Sequence, residues 1–375
     1  MVSKSLKIVI AGPHGSNGGL EIHTTELVNF LASQGHEVLR IYVNNQDLPA
    51  YDADYQVVIS NLPGFRGKFV KSFDWFLAGI ICRKFSPDLL ISTAIGSGYK
   101  VLSHFVGSRA FRIFQIVTDD YPANNATMLS LVKAHDAVAP QTQLLKEQFI
   151  AKIPSRIPSQ VLPCFHQIGI AKYHTCVTDS SLGQLRLAYF GRLVGNKGIP
   201  LLLDAWSKLD CLPLVSLDIW GLGKLRAELQ EKITNSPSLS ASVTLKGLYP
   251  SGLEYVKILS SYHGLVLPSQ STEGLPLVLL EAASVGLPIL TTRVGGIPDF
   301  AKSNPDVLMV DLGLDALCNG LQDFIGFIHN GAYFNRERHM DLFLSQYSRG
   351  AIESIWFRML EDPFLFFTNG IARQL

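Results

Sequence analysis

The sequence has the length and composition of an ordinary globular protein with two domains. It contains 375 residues, of which 47% are hydrophobic and 17% charged, and its formal net charge is +1. At roughly 100–200 residues per domain, this length is enough for two domains that each bury a core. The near-neutral charge argues against a nucleic-acid binder, which would carry a basic excess, and against a disordered chain.

Cysteine usage and hydropathy favour a cytoplasmic protein. The 5 cysteines are widely spaced, and this indicates reduced thiols rather than a disulfide framework or a zinc site. The first residues run directly into a strand-like segment, Leu6 to Ala11, so we expect no secretory leader. The longest apolar runs, such as Trp75 to Cys82, are far shorter than the ~20 residues that cross a bilayer.

Short β-branched runs alternate with segments of helical periodicity, which is typical of βαβ units and a parallel sheet. In the first half, strands are predicted at Leu6 to Ala11, Glu37 to Val43, Asp88 to Ser92, Phe111 to Val117 and Ala137 to Ala139. In the second half, they are predicted at Leu185 to Phe190, Val215 to Trp220, Ser242 to Lys246, Gly264 to Leu267 and Pro288 to Thr292. The fold class is therefore α/β, with two Rossmann-like parallel-sheet domains.

Periodicity is lost between about residues 154 and 184, where Pro, Gly, Ser and Thr accumulate. We place the first domain at 1–168, a linker at 169–184 and the second domain at 185–349. The helical segment from Arg349 to Glu361 has one apolar side, so we expect the C-terminal part, about 350–375, to pack on the first domain.

The most informative segment runs from Ser269 to Ala282, after a predicted strand and into a predicted helix. Gly274 allows a turn, Pro276 suits the first helical position, and apolar residues including Leu275 and Leu277 bury the helix. Glu273 is left in the loop, and Glu281 lies a turn into the helix. Such a pair of carboxylates can accept hydrogen bonds from sugar and ribose hydroxyls, and the free amides at the helix start attract anions.

A second segment, Gly191 to Gly198, follows the predicted strand that ends at Phe190. Strand ends at such positions face a ligand crevice in α/β sheets. Arg192 offers a bidentate guanidinium and Lys197 a compact charge, a pair suited to neutralising a diphosphate leaving group. A Gly-rich turn with Gly18 and Gly19 follows the first strand, although its spacing is not that of a dinucleotide fingerprint.

Together these segments resemble the family-4 retaining glycosyltransferases of the GT-B fold, in which two Rossmann-like domains face a central cleft. The resemblance covers most of the chain. It is carried by Glu273 and Glu281 in a Glu-x7-Glu spacing, the run from Gly191 to Gly198, Ile219 to Gly223, Gly247, and the glycines at 286, 295 and 296, all in that family's order.

The resemblance implies a hexosyltransferase-type enzyme that transfers a sugar from a nucleotide-diphosphate sugar to a glycan, lipid-linked or small-molecule acceptor in cell-surface glycoconjugate synthesis. Arg192 and Lys197 would hold the diphosphate, Glu281 the ribose and Glu273 the donor sugar, with Gly274, Leu275, Leu277, Gly191 and Gly247 beside the donor and Gly18 and Gly19 near phosphate or acceptor. The first domain would bind the acceptor and the second the donor. No cofactor and no divalent metal are expected, because the cationic pair and the helix amides carry the charge.

One departure concerns a His that many family members place before an Asp after a first-domain strand. This sequence has Thr118 there, followed by Asp119. Thr118 and Asp119 are candidate site residues; Asp119 can equally be a helix cap. His14 and His23 are candidate substitutes for the absent His.

Each assignment has a structural alternative. The carboxylates can be solvated helix-start and surface charges, the cationic loop an ordinary solvated turn, and the Gly-rich segment a simple chain reversal. Two other functions stay open: an epimerase or phosphorylase on a similar scaffold, and a catalytically inactive nucleotide-sugar-binding or partner subunit.

Aromatic and basic residues are interleaved over residues 65–84. This pattern suits an interfacial helix, and we therefore consider peripheral contact with the inner face of a membrane; a buried α/β helix with basic ends gives the same pattern.

Overall fold

The computed structural model describes residues 4–13, 18–43, 55–59, 64–118, 126–153, 156–166, 184–209, 214–271, 273–302, 304–330 and 336–368. The chain divides into two compact units. The first consists of Met1–His166 together with Ile352–Leu375, and the second of Gln167–Ala351.

The first unit is a parallel sheet with helices on both faces. In chain order its elements are β1 (Lys7–Ala11), α1 (Gly19–Ser33), β2 (Glu37–Val43), β3 (Tyr55–Ile59), α2 (Gly64–Phe85), β4 (Leu89–Ser92), α3 (Ser97–Phe105), β5 (Phe111–Ile116), α4 (Ala126–Lys133), β6 (Ala137–Pro140) and α5 (Gln143–Lys152). The strand order, as described, is β3-β2-β1-β4-β5-β6. This is the doubly wound order, whose direction reverses between β1 and β4.

The core of this unit lies on both sides of the sheet because strand residues alternate between its faces. In β1, Val9 and Ala11 join one buried cluster, and Ile8 and Ile10 join the other. Near-continuous apolar strands of this kind are expected where helices cover both faces.

Residues 156–166 run beside β6 and belong to the first unit. Val138 N donates to Pro158 O at 2.9 Å, and Gln160 N donates to Val138 O at 3.2 Å. Leu162 and Phe165 are buried in the same core cluster as β1. The loss of periodicity that begins near residue 154 therefore reflects an irregular edge segment before any linker; residues 167–183 lie outside the described part of the chain.

The second unit repeats this architecture. Its elements are β7 (Leu185–Phe190), α6 (Ile199–Trp206), β8 (Val215–Trp220), α7 (Arg226–Thr234), α8 (Pro237–Ser242), β9 (Val243–Gly247), α9 (Gly252–Ser260), β10 (Gly264–Leu267), α10 (Leu277–Ser284), β11 (Ile289–Thr292), α11 (Ile297–Ala301), β12 (Val307–Val310), α12 (Leu314–Asn330) and α13 (Arg336–Gln346). The strand order is β12-β11-β10-β7-β8-β9, so the direction reverses between β7 and β10.

The C-terminal helices are α14 (Arg349–Glu361) and α15 (Pro363–Thr368). Ile352, Trp356 and Met359 lie in the first unit's core cluster with β1. The indole Nε1 of Trp356 donates to Pro163 O at 2.9 Å. The apolar side of this helix is therefore buried in the first unit.

The predicted α/β class with two parallel sheets is confirmed, and the predicted strands match the observed bounds closely. The sequence analysis missed β3 and β12, each of which lies at one of the two edges of its sheet. Among the described helices, none combines the length and apolar character needed to span a bilayer.

Candidate functional site

Two loops of the second unit meet where its strand order reverses. The loop after β7 contains residues 191–198, and the loop after β10 contains residues 268–276. Because β7 and β10 are parallel neighbours, their carboxyl ends lie at the same sheet edge. Gln270 N donates to Asn196 O at 2.7 Å and joins the two loops directly.

This close approach depends on glycine at position 198. Gly198 has a φ of 71°, in the left-handed region that favours glycine. A Cβ atom at this position would also collide with the carbonyl oxygen of Pro268. The backbone turn at Gly198 therefore brings Lys197, at the end of a short 3-10 turn (Gly195–Lys197), to the loop after β10.

Lys197 and Glu273 form a buried ion pair. Lys197 Nζ lies 2.5 Å from Glu273 Oε1, and the two side chains are only 15% and 9% exposed. Ser269 Oγ donates to the same carboxylate oxygen at 2.7 Å. The structural alternative of a solvated helix-start charge is therefore wrong for Glu273.

The backbone on the other side of Glu273 is also held closely. Gly295 has a φ of 56°, and a Cβ there would collide with the Glu273 carbonyl oxygen. Gly296 N donates to Gly274 O at 2.9 Å. The glycines at 295 and 296 therefore let the loop after β11 pack against Glu273.

Arg192 lies in the same loop as Lys197, but its side chain is in a different environment. The residue is exposed, and its guanidinium forms no ion pair with another described residue. Its carbonyl oxygen accepts a hydrogen bond from the Tyr189 hydroxyl at 3.0 Å, which fixes the backbone. The second cation of the predicted pair is thus available to an anionic ligand.

Glu281 is buried in α10, at 5% exposure. The Tyr255 hydroxyl donates to its Oε2 at 2.8 Å. Burial raises the pKa of Glu281 to about 7, an effect that the Tyr255 hydrogen bond opposes. The alternative of an ordinary surface carboxylate is therefore wrong for Glu281 as well.

The remaining predicted donor residues lie around these groups. Leu275 and Leu277 are buried before and at the start of α10. Pro276 caps this helix from outside rather than occupying its first position, because its ψ of 125° is extended. Gly191 N donates to Trp220 O at 3.1 Å, and Gly247 O accepts from Gly221 N at 2.7 Å, so the loops after β7, β8 and β9 are joined at the same sheet edge.

Sequence analysis did not identify the tyrosines around Glu281. Tyr255 and Tyr249 lie with ring centroids 5.1 Å apart, and each packs edge-on against Phe190. The sequence signal available was a pair of tyrosines six residues apart after a predicted strand, and nothing in that spacing points to Glu281. Ser269 was part of the informative segment, but without an assigned role.

Three predicted site residues lie in the first unit. Gly18 precedes α1, Gly19 is its first residue, and Thr118 is half-buried beyond β5. His14 and Asp119 lie outside the described residues, and their assignments stay predictions.

The proposal that His23 could replace the absent histidine is wrong. His23 is fully buried: its Nδ1 accepts from Phe165 N at 2.9 Å, and its Nε2 lies 2.8 Å from Gln115 Oε1. Because Nδ1 accepts, Nε2 carries the proton and donates to Gln115. Burial lowers the pKa of His23 to about 4, so it is a neutral core residue rather than a sugar ligand.

Over the described residues, no group of three or more His, Cys, Asp or Glu side chains is arranged to hold a metal ion. That the protein works without a divalent metal stays a prediction.

Comparisons with known proteins agree with this architecture. Residues 184–325 match the family model described as Glycosyl transferases group 1. The chain is 24% identical over 358 residues to the lipopolysaccharide core biosynthesis glycosyltransferase LpsE of Rhizobium meliloti, covering 92% of this chain and 96% of LpsE. It is 28% identical over 189 residues to the GPI3 subunit of the phosphatidylinositol N-acetylglucosaminyltransferase of Saccharomyces cerevisiae, covering 50% of this chain but only 40% of that protein.

Among solved structures, Anabaena Alr3699/HepE in complex with UDP and glucose superposes with a TM-score of 0.73 at 15% identity, covering 95% of this chain and 99% of that one. A likeness at this identity supports the fold. The fold is that of the GT-B glycosyltransferases, the group 1 family model matches residues 184–325, and the likeness to LpsE extends over most of the chain.

Proposed function

We propose that the protein transfers a hexosyl group from a nucleotide-diphosphate sugar to a glycan, lipid-linked or small-molecule acceptor, with retention of anomeric configuration, as a family-4 enzyme. The observation that carries the proposal is the grouping of Lys197, Glu273 and Glu281 at the reversal point of the second sheet, with Arg192 in the loop of Lys197. Ligands of open α/β sheets bind at such points.

Arg192 and Lys197 are the groups proposed to hold the diphosphate. Lys197 is paired with Glu273, so an arriving diphosphate would share or replace that partner. The first amides of α10 add partial positive charge at the same sheet edge. These charges stabilise the leaving group without a metal ion.

Glu273 is proposed to bind hydroxyls of the donor sugar, and Glu281 those of the ribose. Both carboxylates are buried, and a buried carboxylate with a free lone pair gains most from a hydroxyl donor. In the proposed step, the acceptor hydroxyl oxygen bonds to the anomeric carbon while the bond to the phosphate oxygen breaks. The electron pair leaves with the nucleoside diphosphate, which takes up the acceptor proton on the same face.

The proposed setting is the cytoplasmic synthesis of cell-surface polysaccharides or other glycoconjugates. The name of LpsE refers to lipopolysaccharide, and that of the yeast relative refers to phosphatidylinositol. Both names therefore favour a lipid-linked acceptor for this chain.

A panel of nucleotide sugars tests the transferase proposal by thermal stabilisation and by slow donor hydrolysis. The parent protein is compared with Glu281→Ala and Lys197→Ala, and with Glu254→Ala and Lys257→Ala, which are exposed on α9, as controls. We expect one donor to stabilise the parent and both controls, and to lose this effect in the two site variants. If no donor or nucleotide stabilises the parent, the proposal is wrong.

The second candidate function, an inactive nucleotide-sugar-binding protein or partner of an active enzyme, is favoured by Thr118 at the position of the family His. It predicts donor binding without hydrolysis or transfer to any acceptor. Turnover in the same panel would exclude it.

We also propose that the first unit contacts an anionic bilayer through α2. Phe73, Leu77 and Ile81 are spaced four residues apart on this helix and are 54%, 40% and 41% exposed, and Phe76 beside them is 47% exposed. The sequence of this helix also carries Arg66, Lys68, Lys71, Arg83 and Lys84 against a single acid, Asp74. Exposed aromatic and aliphatic side chains with a basic excess suit an anionic lipid surface.

Vesicle flotation tests this contact. The triple variant Phe73→Gln/Leu77→Gln/Ile81→Gln keeps helix propensity and removes the exposed apolar side chains of α2. The control is Leu312→Gln, because Leu312 is 52% exposed in the second unit. We expect the parent and control to float with phosphatidylglycerol vesicles and the triple variant to lose most binding. Equal flotation of the triple variant, or no flotation of the parent, would overturn this proposal.

A further inference from the structure

A buried tyrosine holds one oxygen of Glu281. The Tyr255 hydroxyl donates to Oε2 at 2.8 Å, and both residues are almost completely buried. No other described residue donates to this carboxylate. The second oxygen, Oε1, therefore keeps its capacity to accept a hydrogen bond from a ligand.

The Tyr255 ring is fixed by aromatic neighbours at the ends of β7 and β8. It packs edge-on against Phe190 with centroids 5.4 Å apart, and Phe190 lies parallel to Trp220 at 5.9 Å. Tyr262 also packs edge-on against Phe190, with centroids 5.9 Å apart, but its hydroxyl donates to Asp218 at 2.8 Å rather than to Glu281. The Tyr255 phenol is thus held by the same strand ends that carry the site loops.

We propose that Tyr255 is a positioning residue for nucleotide binding, which holds one oxygen of Glu281 so that the other accepts a hydrogen bond from a ribose hydroxyl. This inference rests on the proposed function, because it takes Glu281 as the ribose ligand. It adds that the orientation and charge of Glu281 depend on the hydroxyl of Tyr255, which lies on the neighbouring helix α9.

The surroundings of Glu281 predict a specific pH signature. The titratable groups beside it are Tyr255 on α9 and Tyr249 in the loop before α9, and burial raises the pKa of each phenol. On α13, which packs against α10, Arg338 is bound to Asp306, and His339 is buried. No described cation pairs with Glu281, so the Tyr255 hydrogen bond is what lowers its pKa against burial.

Removing the phenol hydroxyl should therefore keep Glu281 protonated to a higher pH. An ionised carboxylate is the stronger acceptor for hydroxyl groups. In the parent, nucleotide affinity should rise as pH passes through about 7, where Glu281 ionises. In Tyr255→Phe the same rise should occur at a higher pH.

Calorimetric titration with UDP, ADP and GDP between pH 5.5 and 8.5 tests this inference. The variants are Tyr255→Phe, Glu281→Gln and, as a control for loss of a buried hydroxyl in the same aromatic cluster, Tyr262→Phe. We expect Tyr255→Phe to weaken binding about tenfold at pH 7, with a smaller deficit at pH 8.5. Glu281→Gln should bind weakly at every pH, and Tyr262→Phe should keep the parent profile.

The outcomes separate the inference from the proposed function. If Glu281→Gln weakens binding but Tyr255→Phe keeps the parent affinity and pH profile, the positioning role is wrong and the proposed site stands. A deficit in Tyr255→Phe that does not change with pH would mean a structural effect alone and would also overturn the inference. If Glu281→Gln binds as well as the parent, or the parent binds none of the three nucleotides, the proposed role of Glu281 is itself wrong.

Discussion

Glu273 and Glu281 lie eight positions apart in one motif, yet they are in opposite electrostatic environments. Glu273 accepts from the ammonium group of Lys197 and from the Ser269 hydroxyl. Glu281 accepts from a neutral phenol and has no described cation beside it. The protein therefore pairs one carboxylate with a cation, and leaves the other with its pKa near neutrality.

Burial of Glu281 should make the protein less stable as pH rises. Its pKa is about 7 in the folded protein, above its ordinary value of 4.5. Between these values the folded state binds more protons than the unfolded state, so the free energy of unfolding falls with increasing pH. The glutamine in Glu281→Gln does not titrate. The free energy of unfolding of this variant should therefore exceed that of the parent by about 1–3 kcal/mol at pH 8, and by little at pH 5.

Urea denaturation at pH 5, 6, 7 and 8 measures this difference. Glu254→Gln, exposed on α9, serves as the control and should follow the parent at every pH. A gain for Glu281→Gln that is equal at pH 5 and pH 8 would contradict the assignment of a raised pKa to Glu281.

At the residue scale, the sequence predicted the candidate site residues but not the contacts that their side chains make. Motif spacing indicated Lys197, Glu273 and Glu281. The Lys197–Glu273 contact joins residues 76 positions apart, and the contact of Tyr255 with Glu281 depends on how α9 packs against α10. Such contacts are set by tertiary packing, which local periodicity does not encode.

At the scale of elements, the loop after β7 offers a matched pair of glycines. Gly198 has a φ of 71°, and a Cβ there would collide with Pro268, whereas a Cβ at Gly195 would meet no atom within 4 Å. We expect Gly198→Ala to lower the free energy of unfolding by about 1–3 kcal/mol and to weaken nucleotide binding by displacing Lys197. Gly195→Ala should change stability by less than about 1 kcal/mol.

Denaturation curves and UDP titrations of the two variants check this pair. The decisive comparison is between them, because both changes add one methyl group to the same turn. Equal stability and equal binding for the two variants would mean that the approach of the two loops does not require glycine at 198.

The two strands that sequence analysis missed, β3 and β12, lie at sheet edges, although the other two edge strands, β6 and β9, were predicted. Each of these two strands has one buried residue, Ile59 in β3 and Val307 in β12. Edge strands pair on one side only and are partly solvated, so their composition is less constrained than that of central strands. The central strands β1, β7 and β10 are almost wholly buried, and their apolar runs predicted them well.

At the scale of the whole molecule, the chain builds the first unit from two distant segments. The first unit's core cluster contains β1 and α1 residues together with Ile352, Trp356 and Met359 of α14. A fragment that ends at residue 166 therefore lacks part of its own core. The sequence indicated the packing of α14 only through the apolar side of this helix, because the sequence of a helix does not identify the surface that it packs against.

Trp356 is the strongest test of this arrangement. Its side chain is fully buried, and its indole donates to Pro163 O at 2.9 Å. Trp356→Ala should leave a cavity and an unsatisfied carbonyl in the first unit, and lower its free energy of unfolding by about 3–5 kcal/mol. Phe357→Ala, on the same helix but 39% exposed, should cost clearly less because its ring is only partly buried.

Limited proteolysis with mass mapping locates the effect, and urea denaturation measures its size. We expect new cleavage sites of Trp356→Ala within residues 4–166, while the second unit, which forms its own sheet from β7 to β12, stays protected. Because the proposed nucleotide site lies on the second sheet, UDP should still protect residues 184–301 in this variant. Cleavage that starts in the second unit, or a loss no greater than that of Phe357→Ala, would show that α14 does not complete the first unit's core.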